Sequence, residues 1–485
     1  MIRDLRDWIE RLRAAGELVE VGARVDPHLE ITEITDRVSK AQGPALLFRD
    51  VVGSDMPVLI NQFGSERRMC MALEAEGLDA PGARIQDLLD LQPPQGLLEK
   101  VKALGKLREL ASFSPRTVKT APCQERWIDP PDLTRLPVLT CWPGDGGPYI
   151  TLPLVFSKDP VTGVRNCGMY RIQVVDARTA MMHWQIHKDG AAHLRDSRGR
   201  VEVAVAIGTD PAVTYSATAP LPPHLDEMIF AGFLRGRSVD MVRCRTVDVE
   251  VPANAEIVIE GYVDATDIRP EGPFGDHTGF YTPVDDYPAF HVTAISTRRD
   301  PVYATTIVGL PPMEDYWLGK ATERMFLPLI RMTVPDMHDM NLPLEGVFHN
   351  CAIVSVRKRY PGHAKKLMNA VWGLGLLSLS RCVIVVDHDV DVHDLSAVAF
   401  RAFSNVDPGR DMLLVDGPVD ALDHAAPYFA YGSKIGFDAT RKWPGEGVVR
   451  PWPEEIRMTD EVRAAVDARW AEFGIPLPPA PGSRP

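Results

Sequence analysis

The sequence is poor in the features that mark secreted, membrane-spanning or nucleic-acid-binding chains. Seven cysteines occur in 485 residues, at positions 70, 123, 141, 167, 244, 351 and 382, with no C-x-x-C pair among them. An odd, scattered set argues against a disulfide framework or a zinc-thiolate site, and points to a reducing, cytoplasmic setting. No window approaches the roughly 20 apolar residues that a membrane-spanning helix needs. The opening stretch MIRDLRDWIERLRAAGELVEV has charges through every apolar run, so it lacks the h-region of a signal peptide. No basic block stands out, and the formal charge is −13, from 53 Lys and Arg against 66 Asp and Glu. Nucleic acid and anionic membrane surfaces are therefore not expected partners. The H-E-x-x-H motif of zinc proteases is missing, and so is a P-loop; GTDP at Gly208–Pro211 reads as a turn. There is no internal repeat.

What is present is an ordinary globular composition, 45% hydrophobic and 25% charged. The length suggests about two to four domains. Leu5, Trp8, Ile9 and Leu12 recur at helical spacing, and ITEITDRVSKAQG repeats that logic with Gly43 as a stop. ALLF and VLIN read as strands, so residues 1–115 are expected to form a small α/β domain. A proline-rich stretch around residues 114–137 marks a boundary. From there to about residue 310 short strands dominate (RIQVVD, VEVAVAIG, VDVEVP, AEIVIEGYVD, FHVTAISTRRD), which predicts a barrel-like β domain. Residues 311–485 return to α/β, with PGHAKKLMNAVWGLG as a helix and CVIVVD as a buried strand. The fold class is α+β.

Four segments carry candidate chemistry. In NCGMYRIQV, Arg171 lies on or beside a strand; a surface ion pair is the competing reading. In MMHWQIHKDG, His183 and His187 are four apart and share a face on either a helix or a strand, as a metal pair would, or as two ordinary histidines would. In LPPHLDEMIFAGFLRG, Asp226 and Glu227 fall in the first turn of a helix, where acids complement the dipole whatever their function. Glu227 also sits beside apolar Met228, Ile229 and Phe230, where a carboxyl pKa is adjustable. In RPEGPFGDHTGFY, Gly272, Pro273 and Gly275 make a stiff turn between Glu271 and Asp276. Acids converging across such a turn need a cation between them, for which Arg171 is the candidate; a turn with solvated acids fits the same residues. An amide, an imidazole and a carboxylate together suit Mn²⁺ or Mg²⁺ rather than a thiophilic ion.

The runs NCGMYR, MHWQIHKDGA, LPPHLDEMIFAGFLRG, EGPFGDHTGFY, LEGVFHN, RYPGHAKK and GSKIGFDATRKWPGE, in this order, resemble the UbiD family of prenylated-flavin-dependent decarboxylases. The resemblance implies an N-terminal α/β domain, a central split β-barrel that binds flavin, and a C-terminal α/β domain that assembles homo-oligomers, as a dimer or hexamer. It implies that Asn166, His187 and Glu227 ligate Mn²⁺ (or Mg²⁺), with K⁺ nearby, and that the metal holds the phosphate of prenylated FMN. Met169, Tyr170, Arg171, His183, Trp184, Gln185, Lys188 and Asp189 match cofactor-contacting positions. Asp276 matches the proton donor, Glu271 and Arg171 its supporting partners, and His277 becomes support for the loop. The implied activity is reversible, non-oxidative decarboxylation of an aromatic or α,β-unsaturated acid, with a flavin prenyltransferase as cofactor supplier. Two positions depart from the pattern: Cys167 replaces a Trp of fungal relatives, and Asn405 stands where many relatives have Arg. The alternatives are a divalent-metal hydrolase using Asn166, His187 and Glu227, or a flavin-binding subunit without turnover.

Overall fold

The structure is a computed structural model that describes residues 2–89, 108–185, 189–197, 199–222 and 225–476. The first helix, Leu5–Ala14, is capped by Asp4, whose side chain accepts from the Asp7 backbone N–H. Its buried stripe of Leu5, Trp8, Ile9 and Leu12 is the one the periodicity predicts. Strands Leu18–Val25 and Ala45–Val51 pair in parallel across the helix Glu30–Lys40, and Val58–Ile60 adds antiparallel. A fourth strand comes from far along the chain: Tyr303–Ala304 pairs with Val58–Leu59 and ties the end of the β-rich segment to the N-terminal sheet.

The central sheet holds nine strands among the described residues. Its main path runs Tyr149–Ile150, Ile172–Val174, Thr179–Met182, Asp285–Thr297, Ile257–Glu271, Arg200–Ile207, Leu154–Lys158 and Arg165–Gly168, and Arg126–Ile128 pairs separately with Asp285–Thr297. This order forces curvature. Arg165–Gly168 is the last strand of the path and Ile172–Val174 the second. Flat, with neighbours ~4.8 Å apart, the two would be separated by roughly 29 Å. Yet only Met169, Tyr170 and Arg171 join them, and the four Cα steps from Gly168 to Ile172 reach at most roughly 14 Å. The sheet therefore curls until its ends face each other across a split, and the chain crosses that split at Met169–Arg171.

The segment VDVEVP does not join this barrel. Glu250–Pro252 pairs with Asp240–Arg243, which pairs in parallel with Arg116–Val118, making a separate three-stranded sheet. The two longest strands form a hairpin in register from Ile257↔Thr297 to Glu271↔Asp285. Beyond it a short ladder, Phe274↔Thr282 and Gly275↔Tyr281, carries the tip. The C-terminal sheet is ordered Met337–Asn341, Cys351–Val356, Cys382–Asp387, Tyr431–Asp438 and Met412–Pro418, with its middle three strands parallel. Helices His363–Trp372 and Leu395–Asn405 pack on it, and separate apolar clusters include residues of each. Asn405 is buried there, donating its side-chain N–H to Ala439 O at 2.8 Å.

The helix Glu227–Arg235 fixes one wall of the split. It docks closely on the chain at Phe113, where a Cβ added to Gly232 would lie 2.2 Å from the Phe113 carbonyl oxygen. Alanine at this position gains roughly 1 kcal/mol of helix propensity. Overpacking against backbone that cannot rotate away costs about 1–3 kcal/mol, and a contact this short belongs at the upper end. Gly232→Ala is therefore expected to lower stability, read as a lower urea midpoint with an unchanged slope.

Candidate active site at the barrel split

The site assembles from both lips of the split. On one lip, Arg165–Gly168 carries Asn166, buried to 8% exposure. The adjacent Cys167 N–H donates to Glu227 Oε2 at 2.9 Å. Asp226 is the helix N-cap rather than a first-turn residue, its side chain accepting from Met228 N at 2.8 Å. Arg165 grips Asp226 at 2.5 Å and Glu250 at 3.1 Å, so the helix start is locked to the strand that carries Asn166. Glu227 is also buried to 8% exposure. Burial and the Glu227 charge push the Cys167 thiol well up, so this cysteine is no nucleophile.

In the crossing, Tyr170 meets Trp184 edge-to-face with ring centroids 6.4 Å apart. Met169 N–H donates to Ala217 O, and His183 N–H donates to Arg171 O. His183, Trp184 and Gln185 follow the strand Thr179–Met182, and Asp189 opens the helix Asp189–Asp196. His187 and Lys188 lie outside the described residues.

On the other lip, Arg171 meets the hairpin tip. Its Nε and Nη2 donate to the two oxygens of Glu271 at 2.9 and 3.0 Å. Its Nη1 donates to Asp276 Oδ2 at 2.6 Å, and Nη2 also donates to the Thr282 hydroxyl at 3.0 Å. The guanidinium carbon lies 4.5 Å from the centroid of the Phe274 ring. Glu271 is fully buried, and its Oε2 also meets His183 Nδ1 at 3.1 Å. The His183 ring lies against Tyr287, with centroids 4.2 Å apart.

The tip is anchored from below. Gly275 N–H donates to Asp145 Oδ1 at 2.7 Å, and Gly272 N–H donates to Gln173 Oε1 at 2.9 Å. The Tyr149 hydroxyl donates to Pro273 O at 3.1 Å. A side chain at 275 would collide with Trp142, whose ring would stand 2.3 Å from an added Cβ, so glycine lets the tip sit this low. Asp276 Oδ1 accepts from both the backbone N–H and Nδ1 of His277, each at 2.8 Å. His277 Nε2 lies 2.8 Å from His349 Nε2 on the C-terminal domain.

The electrostatics follow from these bonds. Burial pushes the Glu271 carboxyl up, but the bonds from His183 and Arg171 more than reverse it, leaving it below the usual carboxylate range. Burial likewise opposes ionisation of Asp276; the bond and charge of His277, then the charge of Arg171, hold it well below that range. His277 is displaced in the opposite sense, since Asp276 outweighs burial and raises it. Burial lowers His183. At rest the proton of this pair is therefore on His277, beside an ionised Asp276.

Of the residues expected from the sequence, Arg171, Glu271, Asp276 and His183 come together in one network, and Asn166 and Glu227 lie on neighbouring elements. His277, expected only to support the loop, bonds Asp276, and His349, Thr282 and Tyr287 join the site without having been expected there. His277 and His349 both stood inside quoted motifs, but nothing local signals a contact between residues 72 apart. Tyr287 had no signal at all.

Family models for the 3-octaprenyl-4-hydroxybenzoate carboxy-lyase N-terminal domain, Rift-related domain and C-terminal domain match residues 9–89, 116–311 and 316–439. The chain belongs to the UbiD family. An uncharacterised protein of Archaeoglobus fulgidus is 51% identical over 475 residues, 97% of this chain and 98% of that protein. The UbiD-class enzyme HmfF of Pelotomaculum thermopropionicum, solved with FMN, is 30% identical with a TM-score of 0.77, over 95% of this chain and 99% of that one. The closed form of Sedimentibacter hydroxybenzoicus vanillic acid decarboxylase is 26% identical with a TM-score of 0.84, over 98% of this chain and 99% of that one. This UbiD protein is thus a decarboxylase, a carboxy-lyase. Among the described residues no helix is long and apolar enough to cross a membrane.

The network makes a signed prediction. Both carboxylates are held low, so their share of stability is present above the usual carboxylate range and lost as pH falls through the lowered values. Arg171→Met leaves two buried carboxylates without their guanidinium, at a cost of about 3–5 kcal/mol. His183 and His277 still hold the two acids, but the guanidinium's share of the lowering is lost, and with it stability that is present above the usual carboxylate range and absent below it. The stability deficit relative to wild type should be larger at pH 8 than at pH 5, measured by chemical denaturation; a deficit that grows toward pH 5 would contradict the assignment.

Proposed function

We propose that this UbiD protein reversibly decarboxylates an aromatic or α,β-unsaturated carboxylic acid, without net oxidation, using prenylated FMN, Mn²⁺ (or Mg²⁺) and K⁺. The observation that carries the reading is the buried Glu271–Arg171–Asp276 network at the edge of the barrel split. Loss of CO₂ leaves an electron pair on carbon that no side chain can accept, and the prenylated flavin when bound supplies that electron sink. Support for a flavin comes from HmfF, solved with FMN and, in an evolved dimeric form, with prFMN.

The residues present fit such a group. Asn166 and Glu227 stand on adjoining elements as an amide and a carboxylate, a hard oxygen set suited to Mn²⁺ or Mg²⁺ and through it to a phosphate. His187 would complete the set. Among the described residues the Asn166 side-chain N–H₂ and the Trp184 indole N–H are buried without a partner, which costs roughly 1–3 kcal/mol each unless a bound group or water satisfies them. Met169, Tyr170, Arg171, His183, Trp184, Gln185, Lys188 and Asp189 would flank the flavin. Cys167 would use only its backbone toward K⁺.

The chain's own chemistry is then proton supply and orientation. Asp276 delivers a proton to the carbon that loses CO₂. Arg171 holds that acid in place, Glu271 and Thr282 fix Arg171, and His183 fixes Glu271. Packing of Phe274, Tyr149 and Trp142 around the tip keeps the donor out of bulk water. A flavin prenyltransferase would load the enzyme, and the C-terminal domain would assemble homo-oligomers.

The test is co-expression with a flavin prenyltransferase, followed by absorbance, mass identification of the cofactor, and CO₂ release from a panel of carboxylic acids. Asp276→Asn should keep the flavin and lose turnover by roughly 10²–10⁴-fold, since an amide donates no proton; full activity would remove Asp276 from the role. Glu227→Ala should lower metal content by mass spectrometry and flavin occupancy with it.

A further inference from the structure

Decarboxylation consumes one proton per turnover. The substrate arrives as a carboxylate and leaves as CO₂, and the new C–H bond takes a proton. On the reading above, Asp276 supplies that proton and must be recharged every cycle. Its surroundings leave few donors. Asp276 is buried, with Oδ2 taken by Arg171 and Oδ1 by the His277 N–H and Nδ1. A guanidinium does not give up its proton in a protein, and neither does a peptide N–H. The imidazole of His277 is the acid left in direct contact.

His277 does not stand alone. Its second nitrogen, Nε2, is 2.8 Å from Nε2 of His349, and Phe348 stacks on its ring with centroids 5.3 Å apart and planes 25° apart. His277 lies in the segment matched by the central family domain, and Phe348 and His349 in that matched by the C-terminal one. A second cross-domain contact, Phe280 on His424 with centroids 3.9 Å apart, flanks the first.

We infer that His277 is the proton reservoir that recharges Asp276, and that His349, supplied by the C-terminal domain, is the positioning residue that selects which nitrogen gives up the proton. In the resting pair His277 is an imidazolium. Its Nε2–H is donated to Nε2 of neutral His349, and its Nδ1–H to Oδ1 of Asp276. The Nδ1 proton moves to Asp276, which becomes a neutral carboxylic acid and leaves a neutral His277 that still donates its Nε2–H. Asp276 passes the proton to the product carbon and is again a carboxylate. His277 takes one proton from solvent water before the next cycle. One proton enters and one leaves in the C–H bond.

The surrounding charges favour this distribution. Asp276, Asp315 on the helix Glu314–Thr333, and Asp420 all face His277 with negative charge and raise it against burial. His349 faces His277, Asp420, Asp423 and Asp276; burial and the His277 charge push it down, so it stays neutral and able to accept. Asp315 itself is pushed up by burial to about 6.

The inference rests on the decarboxylase reading, but one arm of its test does not. In the full-length chain without flavin, ring ¹⁵N shifts of His277 should report an imidazolium that persists above the ordinary value near 6.5, and Asp276→Asn should lower that titration by at least a unit. Titration of His277 at its ordinary value, unmoved by Asp276→Asn, would overturn the reservoir whatever the activity. In the loaded enzyme, His349→Phe should lower kcat on the order of 100-fold with KM and flavin content unchanged. It should also move the alkaline limb of the kcat profile to lower pH, because the charged ring loses an acceptor. His349→Gln, whose amide oxygen can accept the same N–H, should restore both. Equal kcat and an equal alkaline limb in His349→Phe, or a His349→Gln variant as impaired as His349→Phe, would overturn the positioning role. Absence of CO₂ release from loaded wild type with every acid tried would instead count against the decarboxylase reading.

Discussion

One guanidinium ties the chain crossing at the barrel split to the hairpin tip. Arg171 is the last residue of the three-residue crossing, and Glu271 is the last residue of a strand 100 positions later. Removing these charges from water costs several kcal/mol per ion, a cost that only tight, fully bonded geometry offsets. The bidentate bond to Glu271, the third bond to Asp276 and the fourth to Thr282 supply that geometry. Without it the tip would carry two buried carboxylates lacking their guanidinium. In turn, a flat sheet could not have brought Arg171 there, because the strand order requires the curl. Barrel closure and acid placement are therefore a single constraint.

The same constraint explains which parts were legible in the sequence. Glu271 and Asp276 were readable because glycine and proline crowd around them, and Arg171 because two converging acids call for a cation. Glu227 was readable from the acid-then-apolar start of its helix. The amphipathic first helix and the buried strand CVIVVD needed only local periodicity, and both stand where it put them. What escaped was long-range and unpatterned. Two-residue strands such as Tyr303–Ala304 show no period, so their partner sheet is decided by tertiary contact. VDVEVP reads as a barrel strand by composition, yet its hydrogen bonds go to Asp240–Arg243. His277 and His349 carried no mark of their bond, since an imidazole pair is defined by distance alone.

The three family domains meet around the hairpin tip rather than acting in series. The central domain supplies Arg171 and the acids. The N-terminal sheet captures Tyr303–Ala304, just ahead of the segment whose Val308 carbonyl accepts the Trp142 indole N–H, and Trp142 is the wall under Gly275. The C-terminal domain covers the tip with Phe348, His349 and His424. Each contact is built from a ring or a backbone carbonyl, groups that lose little conformational entropy on packing. A tip held this way from three sides keeps Asp276 at one position relative to Arg171, which the proton-donor role proposed for it requires more than it requires any particular resting charge.

That last point decides how the two acids divide their work. Both are buried and both lie on Arg171, so their shared cation cannot distinguish them. The imidazoles do. His183 is lowered by burial, and its bond to Glu271 keeps that acid ionised without offering it a readily released proton. His277 is raised, so the group touching Asp276 keeps its proton to higher pH than an ordinary imidazole. An acid beside a neutral imidazole is a permanent anion that orients Arg171. An acid beside an imidazolium is one proton transfer, across a 2.8 Å hydrogen bond, away from being a donor. The asymmetry between Glu271 and Asp276 is thus carried by the histidines next to them, which on the proposed mechanism leaves Asp276 as the acid that alternates between carboxylate and carboxylic acid within a catalytic cycle.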